Sequence, residues 1–338
     1  MAIKKKIKFN LDKIRLSYVQ PIGLFEELSQ YQVNKYLDYE DFTLHIIDNG
    51  RKEGSEKPPT KLLTNVILAD GTLLGTFTFN SSAKYDGLCF FKFANSALYK
   101  CEGYNYDGKY NCQTYISYVA DVLNLKLNSF TEIELAADVN YNPIPRIRKL
   151  IKDYDNYDMI YNGKRIIDEE RKIDNYGEFY SRSRRKIDRT PTLYFSQRKT
   201  DGLSAKIYNK SKEIEEESHA KTYVDEWNDF NRQNIYRIEL TISWEQFKKW
   251  LQHINSPNSP FPREWKQFFS VGVGDNISPS ENDKEYLEHS QYLLLLESYR
   301  SQLWQFSADR LIYFRNRKTN EVISLLDIAL GWKPQKSH

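Results

Sequence analysis

The chain's 338 residues are enough for two or three modest domains or one elaborated one, and a hydrophobic share of 40% suits a globular core. A formal charge of +3 is too small for bulk electrostatics to select a partner, and the longest apolar run, around YLLLLESY, is too short to cross a bilayer. Three cysteines, Cys89, Cys101 and Cys112, form neither a zinc pair nor a redox motif, and the opening MAIKKKIKFN alternates instead of leading into an apolar signal segment, so the expectation is a reduced, cytoplasmic protein.

In chain order, FEELSQYQVNKYL is expected as a short helix, and KLLTNVILA, GTLLGTFTFN and GLCFFKFA as a meander of strands punctuated by Gly, Asp and Ser. TYISYVADVLNLKL places Tyr115, Val119, Val122 and Leu123 on one helical face. SFTEIELAADVNY alternates as a strand. After Pro143 and Pro145, RIRKLIKDY reads as a basic helix with Ile147, Leu150 and Ile151 inward. Residues 155–190 are polar and Tyr-rich, and are expected as an insertion or mobile loop.

Further on, PTLYFSQRKTDGLSAKIYNK reads as a hairpin turning at KTDG, followed by a charged helix from about Lys210 to Arg232. NIYRIELTI is a strand. It leads into SWEQFKKWLQHI, where Ser243 and Gln246 suit a capping box and Phe247, Trp250, Leu251 and Ile254 a buried face. Residues 255–282 suit a linker, and the remainder is expected to be mostly helical. The fold class is α+β: a twisted, mainly antiparallel sheet with helices on one face, plus a helical C-terminal region. Along the chain this divides into a β-rich half (1–130), a catalytic half (131–254) and a linker with the helical C-terminal region (255–338).

Side chains two or four apart on a strand share a face. In TEIELAADV this groups Glu132, Glu134 and Asp138; in YRIELTI it groups Arg237 with Glu239; in SAKIYNKSK it groups Lys206, Tyr208 and Lys210. Burying a carboxylate is costly without a cation, which Arg237, a lysine or a bound metal could supply. Oxygen-only ligands suit Mg²⁺ or Mn²⁺, which hold a phosphate oxygen. A tyrosine hydroxyl is a poor nucleophile near neutral pH because its pKa is about 10; Lys206 and Lys210 are placed to favour its phenolate. Attack on a DNA phosphodiester would leave a phosphotyrosine.

Basic clusters add candidate phosphate contacts. Arg182, Arg184, Arg185, Lys186 and Arg189 are opposed only by Asp188. Arg146, Arg148, Lys149 and Lys152 make a second cluster, and Arg310, Arg315, Arg317 and Lys318 a third. Each piece also has a plainer reading: two acids on a strand are more often a solvent-facing edge, a basic cluster an ordinary solvated face, and Arg237 with Glu239 a cross-strand ion pair.

At these residues the sequence resembles the Rep-trans replication initiation factor family, which includes initiators of small rolling-circle plasmids and relaxases of some conjugative elements. Its segment of the type T-L-Y-F-G-S-R-K-S-D, followed by an R-I-Y-D/N-K strand, is matched by TLYFSQRKTDGLSAKIYNK, residues 192–210. Its R-x-E-L strand is matched by Arg237, Glu239 and Leu240, and its R-I-D-L-A-x-D by EIELAAD. The chain departs from the pattern at Glu132 for Arg, Glu134 for Asp and Ser196 for Gly.

The resemblance implies that Tyr208 is the nucleophile with Lys210, Lys206 and Arg237 around it. It places Glu239, Glu134 and Asp138 in the acidic positions expected to hold Mg²⁺ or Mn²⁺, while Arg182, Arg184, Arg185, Lys186, Arg198 and Lys199 are expected from their charge to contact DNA. The implied activity is sequence-specific nicking and joining at an origin through a 5′-phosphotyrosine. The implied partners are single-stranded or hairpin origin DNA, a host helicase and a second copy of the chain.

The alternative is a non-catalytic DNA-binding replication or transcription regulator on the same scaffold. Nicking enzymes that hold metal with H-x-H, and tyrosine recombinases with H-x-x-R, are excluded because neither motif occurs among the five histidines.

Overall fold

A computed structural model describes residues 6–51, 58–81, 85–103, 112–166, 192–195, 202–217, 235–255 and 289–331. The strands are β1 (Ile7–Val19), β2 (Tyr36–Asp38), β3 (Phe42–Asp48), β4 (Lys61–Leu68), β5 (Leu73–Asn80), β6 (Leu88–Phe93), β7 (Lys126–Val139), β8 (Tyr157–Tyr161), β9 (Lys164–Ile166), β10 (Leu193–Phe195), β11 (Leu203–Asn209), β12 (Tyr236–Ile242), β13 (Ile312–Asn316) and β14 (Val322–Ser324). The helices are α1 (Leu24–Ser29), α2 (Asn95–Gly103), α3 (Cys112–Val122), α4 (Ile144–Lys152), α5 (Lys210–Glu217), α6 (Trp244–Asn255), α7 (His289–Leu311, kinked at Tyr299) and α8 (Leu325–Ala329). The class is α+β, with mainly antiparallel sheets. None of the described helices is long and apolar enough to cross a membrane.

The chain forms two compact units that interleave in sequence. One comprises Met1–Leu11, Glu134–Gln246 and Tyr299–His338; the other comprises Asp12–Ile133 and Phe247–Ser298. The long strands β1 and β7 each contribute to both.

In the second unit, β1, β6, β5, β4, β3 and β2 follow one another as an antiparallel meander. Strict alternation in KLLTNVIL sends Leu62, Thr64, Val66 and Leu68 inward. The core is aromatic: Phe77 meets Tyr18 edge-on at 5.9 Å and Phe91 at 4.7 Å. Gly75 is required there, because a Cβ would stand 2.4 Å from the Lys92 carbonyl oxygen and 2.5 Å from the Phe91 ring. On α3 Ile116, Val119 and Ala120 are buried, and so is Leu123 just beyond its end. Val119 and Leu123 are inward as expected, whereas Tyr115 and Val122 are only partly buried.

In the first unit, β10, β11, β12, β7 and β1 are hydrogen-bonded in that order. One face of this sheet is apolar and is covered by the C-terminal part of α7, where Leu303, Trp304, Ala308 and Leu311 are buried. The Trp304 indole N–H donates to the Ile238 carbonyl oxygen at 3.1 Å, and its ring meets Phe9 at 5.4 Å. The other face carries the polar side chains described below. Helix α4 buries Ile147, Leu150 and Ile151 as its periodicity demands, and packs near β8.

Three expectations are corrected. Part of the segment expected as an insertion is a hairpin, β8–β9, turning at Asn162 (φ 47°) and Gly163 (φ 73°). Two positive φ angles are what a two-residue hairpin turn needs, and Asn-Gly supplies them. The C-terminal region adds β13 and β14 to its helices; with β8 and β9 they make a second sheet ordered β14-β13-β8-β9. The Ser243 capping box does not form: Ser243 Oγ is buried without a hydrogen-bond partner among the described residues. Gly202 lies so near that a Cβ there would be 2.0 Å from that oxygen. Helix α8 does carry a capping box, with Ser324 and Asp327 bonding each other's backbone N–H.

Asp309, near the end of α7, keeps Oδ1 buried without a hydrogen-bond partner among the described residues. Burial first, and then the charge of Asp327, push its carboxyl up to about 6. A folded-state pKa above the unfolded value means that the stabilising contribution is present below about pH 4 and is lost as pH rises through 6. Asp309→Asn is therefore expected to raise the thermal midpoint at pH 8 and to leave it nearly unchanged at pH 4. An equal shift at both values in scanning calorimetry would contradict this account.

Candidate active site

The site grows from the pairing of β11 with β12. Their register sets Lys206 opposite Glu239 and Tyr208 opposite Arg237. Cross-strand partners share a face, so all four side chains leave the sheet on the side away from Trp304. Between them Ala205, Ile207, Ile238 and Leu240 point the other way and are buried. On the outer side, β10 sets Tyr194 opposite Lys206.

Glu239 is the hub. Its side chain is only 4% exposed. Oε1 accepts from Lys206 Nζ at 2.7 Å, and Oε2 accepts from the Tyr208 hydroxyl at 3.0 Å. One carboxylate thus orients the phenol and holds the ammonium. Burial acts to lower the Lys206 pKa, but Glu239, by charge and hydrogen bond, and then Glu134 and Tyr194 raise it above the ordinary lysine value. Lys206 is a fixed cation at neutral pH, not a base.

Glu134, on β7, brings a carboxylate oxygen within 4.8 Å of one from Glu239. Two carboxylates so close repel unless a cation lies between or beside them. Their all-oxygen donor set suits a hard divalent ion such as Mg²⁺ or Mn²⁺.

Asp138 and Arg237 make a separate centre, both with fully buried side chains. Arg237 Nε donates to Asp138 Oδ1 at 2.7 Å and a terminal nitrogen donates to Oδ2 at 2.8 Å, a bidentate fork. Asn10 on β1 adds a third hydrogen bond, Nδ2 to Oδ2 at 2.6 Å. With both oxygens engaged, Asp138 is arranged as the counter-ion of Arg237.

Lys210 is the first residue of α5, and its side chain is 2% exposed. Its ammonium pairs with Glu213 at 2.5 Å and lies 5.7 Å from the centre of the Tyr208 ring. The chain leaves the strand at Asn209, so Lys210 reaches the ring face instead of continuing the row of Lys206 and Tyr208.

Among the expected residues, then, Lys206, Tyr208, Glu239 and Glu134 are gathered, Lys210 lies over the tyrosine ring, and Arg237 and Asp138 neutralise each other beside them. Arg182, Arg184, Arg185, Lys186, Arg198 and Lys199 lie outside the described residues, as does most of the KTDG turn.

Two contributors escaped the sequence reading. Asn10 sits on β1, whose length was hidden by its basic start, and nothing local distinguishes it. Tyr194 was within reach, because it alternates with Leu193 and Phe195 opposite the SAKIYNK strand. Asp12, two residues beyond Asn10, belongs to the other unit, where its carboxylate accepts from Tyr99 and Asn95, each at 3.1 Å.

The sequence matches no family model, and no curated protein matches it. Among solved structures, the rolling circle replication initiator protein from Geobacillus stearothermophilus is similar at 12% identity and a TM-score of 0.36, over 86% of this chain and 96% of that one. At that level of likeness, what the site can do rests on its own side chains.

Proposed function

We propose that the chain is a replication initiator or relaxase that nicks and rejoins one DNA strand at an origin, with Tyr208 as the nucleophile. The observation that carries this is the Tyr208 hydroxyl donating to a buried carboxylate that is itself clamped by a lysine. Many tyrosines lie on strands, but few have a proton acceptor and a fixed ammonium arranged around one phenol oxygen.

Glu239 Oε2 takes the phenol proton as the oxygen attacks phosphorus. The new O–P bond forms while the bond from phosphorus to the 3′ oxygen breaks, and that oxygen leaves as a 3′-hydroxyl after accepting a proton from water. The protein is left joined to the 5′ phosphate. Lys206, beside Glu239, and Lys210, over the ring, favour negative charge on the phenol oxygen as it develops. Reversal by a 3′-hydroxyl reseals the strand, since the phosphotyrosine retains the energy of the original ester. Arg237 and Asp138 hold β12 and β7 in register under the site.

Mg²⁺ or Mn²⁺ would be held by Glu239 and Glu134, where it would polarise the phosphate and neutralise its charge. Single-stranded or hairpin origin DNA is the proposed substrate, because an in-line attack needs an accessible backbone. A host helicase and a second copy of the chain are the proposed partners.

The test is incubation with labelled single-stranded DNA carrying the element's origin, with and without Mn²⁺. A covalent protein–DNA band, attached to the 5′ end of the cut product, is expected. Glu239→Gln is expected to lower the cleavage rate by about 10²–10⁴-fold, the range for loss of a general base, while DNA affinity stays within a few-fold. Cleavage by Glu239→Gln at the unaltered rate would refute the assignment of the base. A non-catalytic regulator would bind the same DNA and give no adduct with any variant.

A further inference from the structure

The second sheet has two unlike faces. Its inner face buries Met159, Phe314 and Ile323. The alternate residues take the other face, where Ile160 beside Tyr313 is buried and Arg315 stands opposite Asp158 across β13 and β8. On that outer face Asp158 is gripped by two guanidiniums: its Oδ1 accepts from Arg165 Nε at 2.9 Å and from Arg317 Nε at 2.8 Å. Burial acts to raise its carboxyl pKa, but the hydrogen bonds and charges of Arg317 and Arg165 together draw it below the ordinary range. Arg315 stacks its guanidinium 5.9 Å from the centre of the Tyr313 ring. Among the described residues, three guanidiniums therefore gather about Asp158 beside the part-buried Tyr313 ring, and the turn that follows carries both Lys318 and Glu321 exposed.

We propose that this outer face binds single-stranded DNA, with Tyr313 as a stacking platform and Arg315, Lys318 and the flanking guanidiniums on the phosphates. The proposal rests on the reading of the chain as a DNA-processing protein and adds a surface to it. Three features favour a single strand. A sheet face admits splayed bases, an aromatic ring stacks on any base, and guanidiniums held by an acid keep a fixed direction toward a backbone. The shared acid also explains why two arginines crowd together on a small sheet: Asp158 orders both while leaving the face net positive.

The experiment uses the full chain as Tyr208→Phe, so that binding is read without cleavage. Fluorescence anisotropy of a labelled mixed-sequence single strand, about 20 nucleotides long to exceed the usual site sizes, is followed between about 50 and 200 mM salt. Arg315→Gln with Lys318→Gln is expected to raise Kd roughly tenfold at the lowest salt and to reduce the slope of log K against log salt by about 1.4, or ~0.7 per lost phosphate contact. Tyr313→Ala is expected to raise Kd roughly tenfold with the slope unchanged, because stacking releases no counterions.

Lys318→Gln alone alters only an exposed turn residue and is expected to lower the slope by ~0.7 without touching the fold. Unchanged Kd and slope in these variants, with the unaltered chain binding, would overturn this surface and leave the nicking proposal standing. Loss from the arginine variant with none from Tyr313→Ala would overturn the single-strand assignment. Failure of the unaltered chain to bind any DNA would overturn both.

Discussion

Tyr208→Phe is expected to remove the covalent DNA adduct altogether, a loss of roughly 10³–10⁶-fold in cleavage, the scale seen when a nucleophile is deleted. The variant lacks only the oxygen that donates to Glu239. The ring keeps its place on β11 and over Lys210, and Glu239 keeps Lys206. Thermal stability is therefore expected to fall by no more than about 1–3 kcal/mol, the range for one hydrogen bond to a charged acceptor. Tyr194 offers the matching control. It faces Lys206 across β10 and β11, so Tyr194→Phe is expected to retain the adduct. An adduct that persists in Tyr208→Phe and disappears in Tyr194→Phe would move the nucleophile one strand outward and overturn the assignment.

The largest effect on stability is expected at Arg237 and Asp138. Both side chains are fully buried, with two hydrogen bonds between them and a third from Asn10. Removing either partner leaves a charge in the interior of a sheet, at a cost of about 3–5 kcal/mol. Arg237→Met and Asp138→Asn are each expected to destabilise by that amount in urea unfolding. The double variant is expected to cost clearly less than the sum, since it leaves no isolated charge. Additive losses would show that the pair is not coupled.

The same variants separate two roles for Asp138. A counter-ion lowers stability equally with and without Mg²⁺. A metal ligand would lower it chiefly by removing the extra stability that Mg²⁺ confers. The bidentate fork favours the first outcome.

How much of this was legible in the residues alone varied with the range of the interaction involved. Strands β4 to β7, β11 and β12 follow from period-two alternation, and α4 from its apolar spacing, because local patterning suffices where one face is buried. The hairpin at Asn162 and Gly163 carried a strong local signal that the surrounding Tyr- and charge-rich stretch obscured. Strand β13 had no such signal: its pairing with β8 joins segments roughly 150 residues apart, a separation that no window of sequence spans, and β14 enters the sheet only as the hairpin partner of β13. Strand β1 was hidden for the same reason, since its basic start becomes a central strand only beside β7.

At the site, alternation by itself determined that Lys206 and Tyr208 share a face, and likewise Arg237 and Glu239, because the pleat repeats every two residues whatever the fold. Only the tertiary structure decided which of those groups meet. The register of β11 on β12 gave Glu239 to Tyr208 and Lys206, and the placing of β7 and β1 gave Asp138 to Arg237 and Asn10. Partner choice among buried charges depends on distances of a few ångströms between strands far apart in the chain, and on the cost of leaving any one of them unpaired.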